Sequence, residues 1–266
     1  MTNKKYINIF LISIKEQTIY RLNILFSLLA SFFKILFAVT LWGWLFKENY
    51  GSLQYSLNAT IAYYIISECI LQLNQTELIT EKISEEVQNG RFAKYFLMPI
   101  NIKKYFFSLA LGKTTYTFVY TLLSMLVFSF VFRLNYTIEF NLLSLIFFVL
   151  IVILGILAMK EINYIVGIMS IKYVDISVLI MIKQNVTALL VGGILPLHFF
   201  GENTIKVMKI FPFYYINYYP VNLLLTNDTE NVFVAIIILC IWIFLLKIIS
   251  TKMTNYYKKN YEGIGL

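Results

Sequence analysis

Long apolar runs broken by short polar ones set the pattern of this chain. Six runs reach or approach the roughly 20 helical residues that cross a ~30 Å hydrocarbon core: 22–46, 57–73, 105–132, 140–171, 176–195 and 232–249. They are continuous and lack the every-other-residue alternation of a transmembrane barrel. The pattern therefore predicts an all-α polytopic membrane protein with six transmembrane helices in one domain over 1–266. The fourth run is long enough to need tilt or a cytoplasmic extension. Residues 1–21 differ: Tyr6, Ile7, Phe10, Leu11 and Ile14 fall on one helical face, with Lys4, Lys5, Lys15 and Glu16 polar. That is the signature of an interfacial helix lying along the membrane surface. Residues 197–230 are apolar and aromatic but broken by Gly201, Pro212 and Pro220. Short interfacial or re-entrant helices are expected there, because irregular backbone at membrane depth must be shielded by protein.

The longest strongly polar interruption is Glu77 to Pro99. Inside it Ile79, Ile83 and Val87 recur every four residues, one narrow apolar stripe on a short helix, while Glu77, Glu81, Lys82, Glu85 and Glu86 occupy the other faces. Thr76 stands at the N-cap position, and Glu77 in the first turn complements the helix dipole. Gly90 stands where a helix stops, and Pro99 bars continuation. A stripe this narrow does not span a membrane; it fits a helix that another protein grips.

Composition sharpens the class. Of 266 residues, 59% are hydrophobic and 14% charged, with mean hydropathy +0.74, against about 45–50% and about 25% in soluble domains. The net charge of +8 is explained by topology, since Lys and Arg collect in cytoplasmic loops. With both termini inside, thirteen of these residues are cytoplasmic, and external loops hold only Lys47, Arg133, Lys206 and Lys209. The same choice puts the Glu77–Gly90 helix in the cytoplasm. Trp42 and Trp44, near the far end of the first run, suit an interfacial aromatic belt. No Lys/Arg cluster of nucleic-acid type exists outside the juxtamembrane segments, so no nucleic acid partner is expected. Cys69 and Cys240 lie inside apolar runs and read as buried small hydrophobes. No small-residue cleavage site follows the first apolar run, so a cleavable signal is not expected.

Motifs for chemistry are sparse. Gly112-Lys113-Thr114-Thr115 resembles the tail of a phosphate-binding loop, but the pattern needs a glycine at position 107, which is phenylalanine, and a preceding soluble strand. No nucleotide site, metal site or other cofactor is expected in this chain. His198 is the single histidine, without a second to share a metal. The triplets beginning at Asn135 and Asn227 match a glycosylation pattern that occurs often by chance. Charges inside apolar runs remain: Lys34, Glu68, Lys113, Lys160, Glu161 and Lys183. At the centre of a bilayer each costs at least ~2.5–3.5 kcal/mol unless it faces protein or water. They either pair and snorkel or line a polar route for a substrate.

Taken in order, these segments resemble a known family. Tyr20-Arg21-Leu22-Asn23 follows an amphipathic start. Ile83-Ser84-Glu85-Glu86-Val87-Gln88-Asn89-Gly90-Arg91-Phe92, then Tyr95-Phe96-Leu97-Met98-Pro99-Ile100, lie between the second and third runs. Gly193-Ile194-Leu195-Pro196 precedes Phe211-Pro212-Phe213 and Pro220. The chain resembles the ABC-2-type permeases of ATP-binding-cassette exporters, closest to a six-span subfamily. Val87 replaces that pattern's second isoleucine, and Gly167–Lys172 lacks the polar or tryptophan-rich end of the fourth span common in relatives.

The resemblance implies a coupling helix over Glu77–Gly90 that docks in a groove of a separate ATPase. Its contacts would be Ile79, Glu81, Lys82, Ile83, Glu85, Glu86, Val87, Gly90 and Arg91, with the apolar stripe entering the groove. ATP and Mg would sit on that partner, present in two copies. Two permeases, in a homodimer or heterodimer, would face each other across the path in a bacterial plasma membrane, with the link between the fifth and sixth spans capping it outside. Export of an amphipathic, peptide, drug or lipid-like substrate is implied. An ion-coupled secondary transporter, a membrane-embedded lipid enzyme and a non-transporting scaffold or immunity protein are the alternatives.

Overall fold

The structure, a computed structural model, describes residues 2–19, 21–47, 57–131 and 141–260. All regular structure among these residues is helical: α1 (Thr2–Ile19), α2 (Arg21–Lys47), α3 (Leu57–Leu73), α4 (Glu77–Gln88), α5 (Ala93–Leu97), α6 (Ile102–Val131), α7 (Leu142–Tyr173), α8 (Ser177–Leu190), α9 (Glu202–Met208), α10 (Pro212–Ile216), α11 (Tyr218–Thr226) and α12 (Val232–Lys259). A 3-10 turn, Leu197–Phe200, joins α8 to α9. Three described helices are long and apolar enough to cross a membrane: Leu25–Lys47 of α2, α7 and α12.

Two helix ends depart from the pattern. α12, expected to end at 249 in a basic tail, stays helical to Lys259. The hydroxyls of Thr251 and Thr254 bond back to the Lys247 and Ser250 carbonyls at 2.6 and 2.7 Å, and Met253 and Tyr257 pack on neighbouring helices. α8 falls short: it has 14 residues, about 21 Å at 1.5 Å per residue, and stops at Leu190 rather than 195. The chain turns at Gly192, whose φ of +74° favours glycine. The ends expected at 132 and 140, Arg133 and the Asn135 triplet lie outside the described residues.

Where α8 stops, its freed carbonyls need partners, since an unpaired buried backbone group is costly. Side chains supply them. Tyr63 donates to the Gly192 carbonyl at 2.8 Å and Tyr64 to that of Ile194 at 3.1 Å. The fully buried Asn217 donates to Val191 O at 3.2 Å and Ser67 Oγ at 2.8 Å. These bonds tie α8 and α10–α11 to α3. The largest core forms around them, from Tyr63 and Ile66 on α3, Ile151 and Ala158 on α7, Tyr218 and Val221 on α11, and Leu239 on α12. Trp42 joins this region instead of a lipid-facing belt: it is 5% exposed and stacked on Phe199, ring centres 4.5 Å apart. Trp44 does face outward. Cys69 is half-buried and Cys240 exposed on the outer side of α12, not buried as expected; a long apolar helix with one packed face leaves its other residues uncovered.

α1 lies along the first half of α6. Ser13 Oγ donates to the Leu109 carbonyl at 2.7 Å, the Asn101 N–H donates to Tyr6 Oη at 2.8 Å, and Lys5 bonds the Pro99 carbonyl. Gly112 permits the approach. A Cβ there would sit 2.6 Å from Ser13 Cβ and 2.7 Å from the Phe10 carbonyl oxygen. The glycine of the phosphate-loop lookalike is thus a packing glycine. Ile7, Leu11, Ile12 and Ile19 remain exposed along α1, while Tyr6, Phe10 and Ile14 are half-buried. Gly112→Ala is expected to cost about 1–3 kcal/mol through overpacking, despite alanine's better helix propensity. Faster amide exchange confined to α1 and the facing turns of α6 checks this; unchanged exchange in α1 would show that the contact is loose.

Candidate functional site

α4 and the short loop after it follow the sequence pattern at one end. Gly90 has φ +69°. The Arg91 N–H reaches the Glu86 carbonyl at 2.8 Å and the Gly90 N–H that of Val87 at 2.9 Å, the paired bonds of a Schellman C-terminus. The other end departs from it. Thr76 makes no side-chain cap; its buried hydroxyl donates to Asn74 Oδ1 at 2.6 Å and accepts from Asn163 Nδ2 at 2.8 Å. A partner on another helix has won the competition for that hydroxyl.

The apolar stripe is turned inward. Ile79, Ile83 and Val87 are at most 1% exposed, packed with Phe92, Tyr95, Phe106, Tyr164 and Ile168 of α5, α6 and α7 and the turn before α5. It is therefore not available to a groove on another protein, and the expectation that it enters one is corrected. Each such side chain contributes roughly 1.5–3 kcal/mol by leaving water, more when kept on its own bundle than when offered bare. Gly167 of α7 lets the two backbones close: a Cβ there would lie 3.1 Å from Thr80 Cα and 3.2 Å from Ile83 Cδ1.

Asn163 fastens this seam. Its backbone carbonyl accepts from Thr80 Oγ1 at 2.8 Å, its amide donates to Thr76, and its side-chain oxygen accepts from Lys183 Nζ of α8 at 2.7 Å. Lys183 also pairs with Glu77 at 3.2 Å, and Gln184 donates to Glu77 at 3.1 Å. So α4 is bonded both to α7 and to α8. What α4 leaves outside is polar: Glu81, Glu85, Gln88, Asn89, Gly90 and Arg91 are exposed. Lys82 and Glu85 pair at 2.9 Å; their hydrogen bond lowers the Glu85 pKa and raises that of Lys82. Glu86 is held by Lys94 at 2.6 Å and Arg91 at 3.7 Å.

Beside this shelf lies a cleft between α2, α3, α6 and α8. Its first chamber, about 510 Å³, is lined by Lys34, Lys113, Asn74, Glu77, Glu81 and Gln184 among others. The second, about 420 Å³, is lined mainly by apolar groups, with Ile35, Leu41, Tyr64 and Ile194. Lys34, Leu71 and Ala188 line both, so the chambers are consecutive.

The sequence profile described as ABC-2 family transporter protein matches residues 32–265. The chain belongs to that ABC-2 family. No curated protein matches it. Members are the membrane component of ABC transporters, so this chain is an ABC transporter permease, a membrane protein, and membership implies partnership with an ABC ATPase.

The permease divides the charges of its apolar runs into three groups. Lys34, Lys113 and Glu68 line the cleft. Lys34 pairs with Glu68 at 3.5 Å, and Glu68 also accepts from Ser31 at 2.7 Å. Lys183 belongs to the Asn163 seam. Lys160 and Glu161 stand apart from both: Glu161 accepts from Ser250 of α12 at 2.5 Å and pairs with Lys160 at 3.0 Å and Lys103 at 3.4 Å. That cluster ties α6, α7 and α12 together, which is structural pairing. Neither Asn163 nor Gln184 is singled out from the sequence, although a polar residue inside an apolar run is a readable signal.

Asn163→Leu should strip Thr76 and Lys183 of a buried partner, while Thr80 keeps the backbone carbonyl. Each orphaned group costs about 1–3 kcal/mol. The expected outcome is faster tryptic cleavage at Lys82 and Arg91 in a protein that still inserts; unchanged cleavage would mean the buried stripe alone holds α4.

Proposed function

We propose that this permease is the transmembrane half of an exporter whose ATP and Mg are bound and hydrolysed by two copies of a separate ATPase, with no cofactor held by this chain. The polar outer face of α4 is the coupling surface, with Glu81, Lys82, Glu85, Gly90 and Arg91 touching the ATPase and Ile79, Ile83 and Val87 fixing the helix to its own bundle. The observation that supports this reading best is the double attachment of α4, to α7 through Asn163 and to α8 through Lys183. A push on α4 is passed to the helix that walls the cleft. Six spans complete the topology, α2, α3, α6, α7, α8 and α12, with both termini cytoplasmic in a bacterial plasma membrane. Two permeases, identical or different, face each other across the path, and the segment from the 3-10 turn through α11 caps it outside. ATP-driven closure of the ATPases then shifts the pair between inward- and outward-open packings as a rigid-body change.

The cargo of this reading is an amphipathic molecule, a peptide, drug or lipid-like compound, because the cleft joins a polar chamber to an apolar one. Glu85→Lys should replace the attraction to Lys82 by repulsion. Gly90→Pro cannot adopt a positive φ. Both are expected to leave insertion and co-purification with the ATPase intact while ATP hydrolysis proceeds without transport. Normal transport by both variants would refute the assignment of this surface.

A further inference from the structure

The cleft has a charge pattern that selects its occupant. Lys34 lies near the middle of α2, yet its side chain is 68% exposed. A lysine bared at that depth is tolerated where it faces water, not lipid. It stands at the junction of the two chambers. Lys113 lines the polar chamber from α6 and forms no ion pair with any described residue. The carboxylates nearby are engaged. Glu68 is held by Ser31 and Lys34, and Glu77 by Lys183 and Gln184. Glu81 is the exception: it lines the same chamber from α4, exposed and without an ion pair to any described residue. The two unpaired charges of the polar chamber are therefore Glu81 on α4 and Lys113 on α6, and Lys113 shares that chamber with Lys34.

Past Lys34 the lining changes. Ile35, Phe37, Leu41 and Ile194 face a chamber whose charges are confined to the Lys34–Glu68 pair at its edge. An acidic head between Lys113 and Lys34 places an attached alkyl chain directly into that chamber. A cationic head meets two ammonium groups instead. We propose that the cleft is a binding site for single-chain anionic amphiphiles, with the head on Lys113 and Lys34 and the tail in the apolar chamber. This rests on the permease reading above and narrows its cargo.

The test uses the full chain in phosphatidylcholine nanodiscs with spin-labelled stearate and the matching stearyl trimethylammonium, read as the immobilised fraction. Stearate is expected to bind at least about tenfold tighter than the cationic analogue. Lys113→Gln should cut that preference to about threefold or less, and Lys34→Gln/Lys113→Gln should abolish it. Lys113→Arg should keep it, which separates loss of charge from loss of fold. Ile194→Trp, filling the apolar chamber, should weaken both probes alike. Equal binding of the two probes, or a preference that survives the double substitution, overturns the proposal. A complex that couples ATP hydrolysis to movement of a cationic amphiphile without preferring stearate overturns it too, and leaves the permease role standing. Stearate preference in a chain that never stimulates an ATPase supports the site and sinks the coupling reading instead.

Discussion

The seam between α4 and α7 is the contact on which the rest of the molecule depends. It has three parts that reinforce one another. Gly167 removes the side chain that would hold the backbones apart. Ile79, Ile83 and Val87 then reach the interior at van der Waals distance. Asn163 satisfies the threonines that this close packing seals from water. A buried polar network of this kind gives one arrangement rather than several, because every alternative leaves a donor or acceptor unpaired. Lys183 extends it to α8, so three helices share one registration.

A second polar cluster does the same work on the other side of α7. Glu161 draws in Lys103 from α6 and Ser250 from α12, and Tyr164 is hydrogen-bonded to Thr254 at 3.0 Å. α7 is therefore clamped within a single turn to α6 and α12 through Glu161 and Tyr164 and to α4 and α8 through Asn163. The two clusters are separated along one helix by only the step from Glu161 to Asn163. α4 thus meets α7 at a turn that is also bonded to α6 and α12.

How much of this was legible in the sequence follows from what periodicity can encode. The positions of α3, α4 and α7 were visible because apolar run length and the Gly90 stop are local properties. The direction in which the α4 stripe faces was not: a four-residue repeat says that one side is apolar, not whether that side meets its own bundle or another protein. Thr76 and Trp42 were assigned by the habits of their residue types, and tertiary partners, Asn163 and Phe199, overrode those habits. The early end of α8 was signalled by Gly192-Gly193, but its apolar run continued to 195 and hid it. Of the charges in apolar runs, their presence was evident and their grouping was not, since pairing across helices depends on packing that no single run contains. The family resemblance rested on the order of short motifs, and the matched profile spans nearly the same stretch.

The attachment of α1 to α6 also bears on how the protein is made. Ser13 and its acceptor Leu109 are 96 residues apart. At synthesis rates of about 5–20 residues per second, α1 leaves the ribosome some 5–20 seconds before its docking groove exists. During that wait Ser13 has no Leu109 carbonyl to bond and Phe10 no Gly112 to close on, whereas Ile7, Leu11 and Ile12 are uncovered before docking and after it.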